Sequence, residues 1–163
     1  MNSEVVVADY LNEKHGVDII YLMDSYAKDP MGGGKSLPQH VKENLVGELE
    51  KLSYAFSLIC YVGTEAVGLI NCFNGFSSFS CKPLINIHDV IVLNKFRGLG
   101  ISQLMLHKVE SIANEKGCSK LTLEVLEGND AAKKSYLKYG FAGYELDPKM
   151  GKALFWEKVI ENT

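Results

Sequence analysis

One stretch of the sequence, residues 84–126, restricts the fold more than any other. It predicts a strand at 84–93, an amphipathic helix at 101–116 and a second strand at 120–126, joined by short turns. Two strands of one sheet that are connected through a crossover helix run parallel. We therefore predict an α/β (mixed α+β) fold with a parallel strand pair in the middle of a mixed, mostly antiparallel sheet.

The remaining pattern supplies further strands and helices around this unit. Both central strands are apolar almost throughout, which predicts helices on both faces of the sheet. The other predicted elements are strands at 5–10, 55–62 and 66–73, helices at 17–28, from Pro38 onward and at 130–139, and closing strands at 141–146 and 153–160. On the helix at 101–116, the residues expected on the buried side are Leu104, Met105, Val109, Ile112 and Ala113.

The composition fits a single soluble domain over residues 1–163. Apolar residues make up 47% of the chain and charged residues 23%, and the formal net charge is −3. This balance excludes the basic stripe of a nucleic-acid binder. No apolar run approaches the ~20 residues that cross a membrane, and the N-terminus lacks the pattern of a signal peptide. We expect a cytoplasmic protein.

The four cysteines are predicted to be buried free thiols. They are Cys60, Cys72, Cys81 and Cys118, and no pair has the close spacing of a metal or redox site. We therefore predict no metal site.

A tight turn at 94–100 joins the first parallel strand to its crossover helix. Gly98 and Gly100 let the backbone turn sharply and approach a ligand, and Arg97 adds a positive charge. The first N–H groups of a helix have no intrahelical partners and lie at the positive end of the helix dipole, so they can bind an anion. The alternative is that the two glycines serve the turn geometry alone.

Two better-known phosphate motifs are excluded. A dinucleotide fingerprint requires a third glycine, and Gln103 stands in its place. Residues 29–36 (DPMGGGKS) end like a Walker A loop, but they begin with Asp29 and follow a predicted helix where that loop follows a strand.

A second set of spaced residues follows the second parallel strand. Asn129 precedes the helix at 130–139, where it suits a helix cap or a hydrogen bond to a ligand. Ala132 and Tyr136 lie one turn apart on one face of that helix, which leaves room for a ligand along it. Taken alone, Tyr136 also fits a core aromatic residue with a solvated hydroxyl.

Together these two segments resemble the GNAT superfamily of acyl-CoA-dependent N-acetyltransferases. The FRGLGI turn at 96–101 is similar to the family's acyl-CoA motif, and the Asn-x-x-Ala-x-x-x-Tyr-x-x-x-Gly-Phe pattern at 129–141 is similar to its next motif. The resemblance is close over residues 85–141 and extends elsewhere only to the layout. One departure is Lys95, which stands where the family turn usually begins with Gln or Arg.

The resemblance implies that acetyl-CoA inserts where the two parallel strands splay apart. The backbone of Val90, Ile91 and Val92 would hold the pantetheine arm, and Asn129 and Ala132 would line the other wall. The backbone amides implied to hold the pyrophosphate are those of Arg97, Gly98, Leu99, Gly100, Ile101 and Ser102. The same resemblance makes a homodimer the assembly to test.

The implied reaction is attack of an amine on the thioester carbonyl. An alkylamine is largely protonated at neutral pH, so a base is needed, and the leaving thiolate needs a proton. The resemblance implies Tyr136 as general acid and Glu124 as the leading base, with His88 and Asp89 next. Glu124 also fits a strand residue that faces water or pairs with a lysine.

The acceptor is not identified by any motif. We favour a small primary amine over a protein N-terminus or a lysine side chain. The segment at 29–37 is either a lid over the acceptor or a plain surface loop, and residues 73–79 supply either aromatic walls or core packing. A non-catalytic acyl-CoA-binding module and a purely structural protein remain the alternatives.

Overall fold

The computed structural model describes residues 2–161, which contain five strands and four α-helices. The chain divides into two compact units, a first unit at Met1–Leu126 and a second at Glu127–Thr163. The elements are β1 Ser3–Val7, α1 Glu13–Lys28, α2 Gln39–Glu50, β2 Ala55–Val62, β3 Glu65–Ser77, β4 Lys82–Val92, α3 Ile101–Glu115, β5 Leu121–Leu123 and α4 Asp130–Tyr139. Short 3-10 turns occupy Pro30–Gly32 and Asn94–Phe96.

The first unit contains one five-stranded sheet in the order β1-β2-β3-β4-β5. Strands β1 to β4 pair antiparallel, and β5 runs parallel to β4, which confirms the predicted mixed sheet with one parallel pair. The prediction that this pair is central was wrong, because β5 is the last strand of the sheet among the described residues.

The predicted closing strands at 141–146 and 153–160, both in the second unit, are not formed. Within residues 2–161 these segments share one isolated bridge, between Glu145 and Lys152. Most of their apolar side chains, including Phe155 and Trp156, are exposed. An apolar run favours a strand, but a strand also needs a hydrogen-bonded neighbour, and the sequence pattern does not supply one.

Helices α1 and α3 lie on opposite faces of the sheet, as predicted. Leu69 of β3 packs in one cluster with Ile19 and Leu22 of α1. The adjacent Gly68 faces α3, since a Cβ built on it would lie 2.8 Å from the Met105 Cε atom and 3.0 Å from the Ile101 side chain. Consecutive strand residues point to opposite faces, so the two helices cover the two sides.

The buried face of α3 differs from the predicted one by part of a turn. Leu104 is 38% exposed, so its predicted burial was wrong, and Leu106 is buried instead. The reason is that Ile101 and Met105 pack over Gly68, which centres the buried face near Met105. The buried residues of α3 are Ile101, Met105, Leu106, Val109 and Ala113.

The cysteines are free thiols, but they are not all buried. Cys60 and Cys72 are buried in the sheet, Cys118 is half-buried, and Cys81 is exposed, which contradicts its predicted burial. Cys81 adopts a positive φ of 50° at the β3–β4 turn, where the chain reverses direction at the surface. Burial raises the pKa of the Cys60 thiol to about 11 and also raises the pKa of Cys72. None of the helices in the described part of the chain is long and apolar enough to cross a membrane.

Asp24 of α1 holds the connection between α1 and α2. Its Oδ1 atom accepts hydrogen bonds from the Ser36 hydroxyl at 2.7 Å and the Leu37 N–H at 2.8 Å. It also pairs with Lys28 at 2.6 Å and Lys42 at 3.2 Å. Lys28 is the largest cause of the lowered pKa of Asp24, and the Ser36 hydroxyl adds to it.

We predict that Asp24→Asn lowers the melting temperature near neutral pH by a few degrees. A carboxylate whose pKa is lower in the folded state contributes stability above its unfolded pKa of about 3.9 and loses it as the pH falls through the folded pKa. The difference in melting temperature between Asp24→Asn and the parent protein should therefore become smaller below about pH 4. Thermal melts across pH measure this, with Glu48→Gln as control, since the ion pair of Glu48 is with the exposed Lys51 and should matter little. A melting difference that stays constant down to acidic pH would contradict the ion-pair explanation.

Candidate functional site

Strand β4 extends well beyond its parallel partner. Its pairing with β5 covers Ile85 to Ile87 and ends at Leu123, whereas β4 continues to Val92. On its other edge the Leu93 N–H donates to the Val67 carbonyl of β3 at 3.0 Å. Because strand backbone groups alternate in direction, those of Val90 and Val92 point away from β3, to the side where β5 has ended. This is the splay of the parallel pair that the resemblance implied.

A β-bulge marks the point where the two strands part. Asn71 of β3 faces Asp89, and the next residue of β3, Cys72, faces Ile87, so His88 is an extra residue in β4. A bulge bends its strand and increases the local twist. The exposed His88 ring stacks edge-to-face on Phe73, with the ring centroids 5.5 Å apart. His88 is therefore on the surface, while Asp89 is half-buried.

The turn after β4 ends in a helix start that no side chain caps. Gly98 and Gly100 both have positive φ, 78° and 83°, as the predicted turn requires. Gly100 is the N-cap of α3, where it offers no side-chain acceptor, and the first turn of α3 carries no acidic residue. The starts of α1 and α4, in contrast, combine a capping asparagine with an acidic residue in the first turn. The α3 start thus presents backbone donors and a positive dipole end without an internal anion.

The two basic side chains of this turn are paired with carboxylates. The Arg97 Nη2 atom lies 3.0 Å from Asp29 Oδ2, and its Nε donates to the Val92 carbonyl at 3.1 Å. Lys95 pairs with Glu65 at 2.6 Å. A hydrogen bond from the Met31 N–H and the Arg97 guanidinium lower the pKa of Asp29. The ion pair therefore links the α1–α2 connection to the α3 start, and it orients Arg97 along the open edge of β4.

The remaining predicted residues of the first unit differ in their exposure. Ile91 is buried in the core cluster with α1, and by the same alternation its backbone groups point to β3, so neither its side chain nor its backbone faces the open edge. Leu99 is 55% exposed, and Ser102 is half-buried in the first turn of α3. Glu124 is exposed directly after β5, which agrees with the alternative that it faces water.

The sequence analysis missed a line of polar side chains that ends at Asp89. The Asn71 Nδ2 atom donates to Asp89 Oδ2 at 2.9 Å, and the Ser57 hydroxyl donates to Asn71 Oδ1 at 2.6 Å. Tyr10 joins this line through a hydrogen bond of 2.8 Å to Ser57. The only trace in the sequence is a single polar residue in each of two apolar strands, and their pairing depends on the register.

The second unit presents the other predicted motif on α4. The Asn129 Oδ1 atom accepts from the Ala132 N–H at 3.2 Å, so the predicted cap is formed. At the other end, Gly140 has a φ of 113° and the Phe141 N–H donates to the Tyr136 carbonyl at 3.0 Å. This is a Schellman motif, in which an apolar contact also closes the helix end.

That contact is made by the predicted catalytic tyrosine. The rings of Tyr136 and Phe141 meet edge-to-face with centroids 5.9 Å apart, and Tyr139 also packs on Phe141 at 6.0 Å. The pattern at 129–141 therefore specifies both ends of a short helix and holds the half-buried ring of Tyr136 in place. Within residues 2–161, no three His, Cys, Asp or Glu side chains gather into a set that could hold a metal ion.

Solved structures with the same architecture include acetyltransferases. The chain superimposes on a ribosomal-protein-alanine N-acetyltransferase from Brucella melitensis biovar Abortus 2308 with a TM-score of 0.74 at 18% identity, covering 98% of this chain and 99% of that one. It superimposes on AAC(6')-Iy, in complex with the bisubstrate analogue CoA-S-monomethyl-acetylneamine, with a TM-score of 0.76 at 17% identity, covering 98% and 100%. At such identities the likeness establishes the fold alone.

Curated relatives match over shorter segments. A thialysine N-epsilon-acetyltransferase from Bos taurus is 39% identical over 56 residues, which is 34% of this chain and 33% of that protein. An uncharacterised N-acetyltransferase from Archaeoglobus fulgidus is 34% identical over 80 residues, 48% of this chain and 54% of that protein. The matches thus span a third to about half of these relatives' length.

The profile of the Acetyltransferase (GNAT) family matches residues 19–141. This range includes the open edge of β4, the uncapped start of α3 and the α4 motif, which is the set of features that the sequence and the structure single out. The chain belongs to the GNAT acetyltransferase family.

Proposed function

We propose that this protein transfers the acetyl group of acetyl-CoA to a primary amine, by direct attack of the amine on the thioester. The observation that carries the proposal is the open edge of β4 leading into the uncapped start of α3. The open strand edge suits an extended chain that contains amides, and the helix start suits a phosphate. Acetyl-CoA contains both, at opposite ends of its pantetheine arm. One acetyltransferase domain over residues 1–163 is part of the proposal.

The donor binds largely through the protein backbone in this proposal. Val90 and Val92 offer strand-like backbone groups to the pantetheine amides, in the manner of an added β-strand. The pyrophosphate lies at the α3 start, with the amides from Arg97 to Ser102 as donors. Asn129 and Ala132 line the other side of the donor, a role that the family resemblance supports.

The chemistry requires a base, because the amine arrives protonated. With a pKa near 10.4, about one alkylamine molecule in ~2,500 is neutral at pH 7, which corresponds to a cost of ~4.6 kcal/mol. In our proposal Asp89 removes this proton, and the supporting observation is its half-buried carboxylate next to the bulge, held by Asn71. The exposed Glu124 and His88 are the alternative bases.

Tyr136 is the proposed general acid. The amine nitrogen bonds to the carbonyl carbon and gives up its second proton to water as the C–S bond breaks. The CoA sulfur takes a proton from the Tyr136 hydroxyl, which is then reprotonated from water. The edge contact with Phe141 supports this role, because it holds the ring in a defined position.

The proposed acceptor is a small primary amine. One protein to which this chain is similar is named for thialysine, and another was solved in complex with the bisubstrate analogue CoA-S-monomethyl-acetylneamine. A third is named for the alanine of a ribosomal protein, which keeps a protein N-terminus as the competing acceptor.

A thiol-release assay with acetyl-CoA tests the proposal. We expect turnover with small primary amines and little with a peptide that has an N-terminal alanine. Turnover on the peptide alone would make the protein an N-terminal acetyltransferase. Saturable binding of acetyl-CoA without turnover on any amine would make it a non-catalytic binding module, and absence of binding would refute the proposal.

The donor site is tested by adding a negative charge to the α3 start. We expect Ser102→Glu to weaken acetyl-CoA binding by about tenfold or more, because a carboxylate in the first turn competes with the pyrophosphate for the same amides and dipole. Ser111→Glu adds the same charge at an exposed position farther along α3 and should leave affinity unchanged. Isothermal titration calorimetry measures both, and equal losses in the two variants would contradict a site at the helix start.

The acid is tested with Tyr136→Phe, which keeps the ring and removes the hydroxyl. We expect kcat to fall by about 100-fold while KM for acetyl-CoA changes little, since general acid catalysis contributes on that scale. Tyr139→Phe is the matched control, because Tyr139 lies on the same helix and also packs on Phe141. Full turnover of Tyr136→Phe would show that another group protonates the sulfur.

A further inference from the structure

The core of this protein contains two buried polar side chains among the described residues, and they are adjacent. Ser57 of β2 has no exposed surface and Asn71 of β3 is 4% exposed. All other buried side chains among residues 2–161 are apolar, and burying a hydroxyl or an amide costs free energy unless its hydrogen bonds are made. Both side chains make hydrogen bonds, which offset this cost.

Both side chains belong to one row of hydrogen-bonded side chains that crosses the sheet. Ser57 faces Asn71 in the β2–β3 register, and Asn71 faces Asp89 in the β3–β4 register, so the three lie in a row on one face. The hydrogen bonds along the row measure 2.6 Å from Ser57 to Asn71 and 2.9 Å from Asn71 to Asp89. Tyr10 extends the row from its outer end.

Counting protons gives this row a direction. Ser57 has one hydroxyl proton and donates it to Asn71 Oδ1, so the Tyr10 hydroxyl must be the donor to Ser57. The Asn71 amide then donates to Asp89 Oδ2, and its second proton points to the Met23 sulfur. Each hydrogen bond therefore points toward the carboxylate, which accepts at the end of the row.

We propose that Asn71 is a positioning residue for acetyl transfer, which holds the Asp89 carboxylate in the orientation that takes the proton of the amine. This rests on the proposed function. Asn71 fixes Oδ2 and leaves Oδ1 for the incoming amine, and Ser57 and Tyr10 in turn fix the Asn71 amide. The row is not an exit path for the proton, because a side-chain amide does not pass protons on at neutral pH.

Other ionisable groups near Asp89 do not replace this contact. Tyr26 of α1 and Cys72 of β3 lie close enough that burial, with the negative charge of Asp89 in addition, raises the pKa of each. Both groups therefore stay neutral across the range in which an enzyme of this kind is assayed. The positive charge of Arg97 is directed to Asp29, and the adjacent His88 points to the ring of Phe73. Asn71 is thus the donor that the structure assigns to the Asp89 carboxylate.

The test compares Asn71→Leu with the parent enzyme at about pH 7 and about pH 9.5, using a small alkylamine. At the lower pH the amine must lose a proton to the enzyme, whereas near its own pKa of about 10.4 it is partly neutral in solution. We expect kcat/KM to fall by about tenfold at the lower pH, the scale of one charge-assisted hydrogen bond, and by less than about twofold at the higher pH. A purely structural defect would lower kcat/KM by a similar factor at both pH values.

The matched control is Asn86→Leu. Asn86 lies on β4, the strand that carries Asp89, and donates to Thr122 at 3.1 Å, so its replacement removes a comparable amide hydrogen bond that does not reach Asp89. The loss of kcat/KM that it causes should be the same at both pH values. If Asn71→Leu behaves like Asn86→Leu, or loses nothing at about pH 7, the positioning role is overturned.

Two milder variants keep the proposal testable if Asn71→Leu does not fold. Ser57→Ala and Tyr10→Phe remove hydrogen bonds from the row and keep Asn71 itself. We expect each to lower kcat/KM at about pH 7 by less than Asn71→Leu does, and Ser57→Ala to lower it more than Tyr10→Phe. Both losses should disappear at the higher pH. If the loss of kcat/KM is independent of pH in both variants, the proposal is overturned. Failure of the proposed function is distinct, because the parent enzyme itself would then show no turnover.

Discussion

The unequal length of two parallel strands is the feature on which the rest of this structure depends. Strand β4 continues to Val92 after its pairing with β5 has ended at Ile87. Backbone N–H and C=O groups need hydrogen-bond partners, so the edge of β4 beyond Ile87, with which no described strand pairs, can accept a partner from outside the sheet. The bulge at His88 bends β4 where the pairing stops, and the turn that follows leads directly into the uncapped helix.

The candidate site at the open edge of β4 and the start of α3 combines backbone groups and side chains with different roles. In the function proposed above, the open strand edge and the helix start bind the donor through backbone groups that every residue carries, so Lys95 can stand where the family usually has Gln or Arg. Arg97 and Lys95 are held by Asp29 and Glu65. The charge of each basic side chain is thus already paired with a carboxylate, so a phosphate at the helix start would depend mainly on the backbone amides and the helix dipole.

The motif at 129–141 illustrates how one pattern serves geometry and chemistry together. Asn129 closes the first turn of α4, and Gly140 and Phe141 close the last. These residues make a short helix with two defined ends, and they fix the ring of Tyr136 by its contact with Phe141. A ten-residue helix has little stability from propensity alone, so its caps determine where the tyrosine lies.

The sequence by itself determined the features that depend on neighbours along the chain. The helices α3 and α4, the glycine turn between β4 and α3 and the parallel connection to β5 were all predictable, because periodicity, capping residues and crossover handedness are local properties. Tertiary structure alone decided the edge position of the parallel pair, the absence of the closing strands and the burial of Leu106 in place of Leu104. It also decided the row from Ser57 through Asn71 to Asp89, because cross-strand neighbours are set by register between distant segments, and no spacing along the chain records that register.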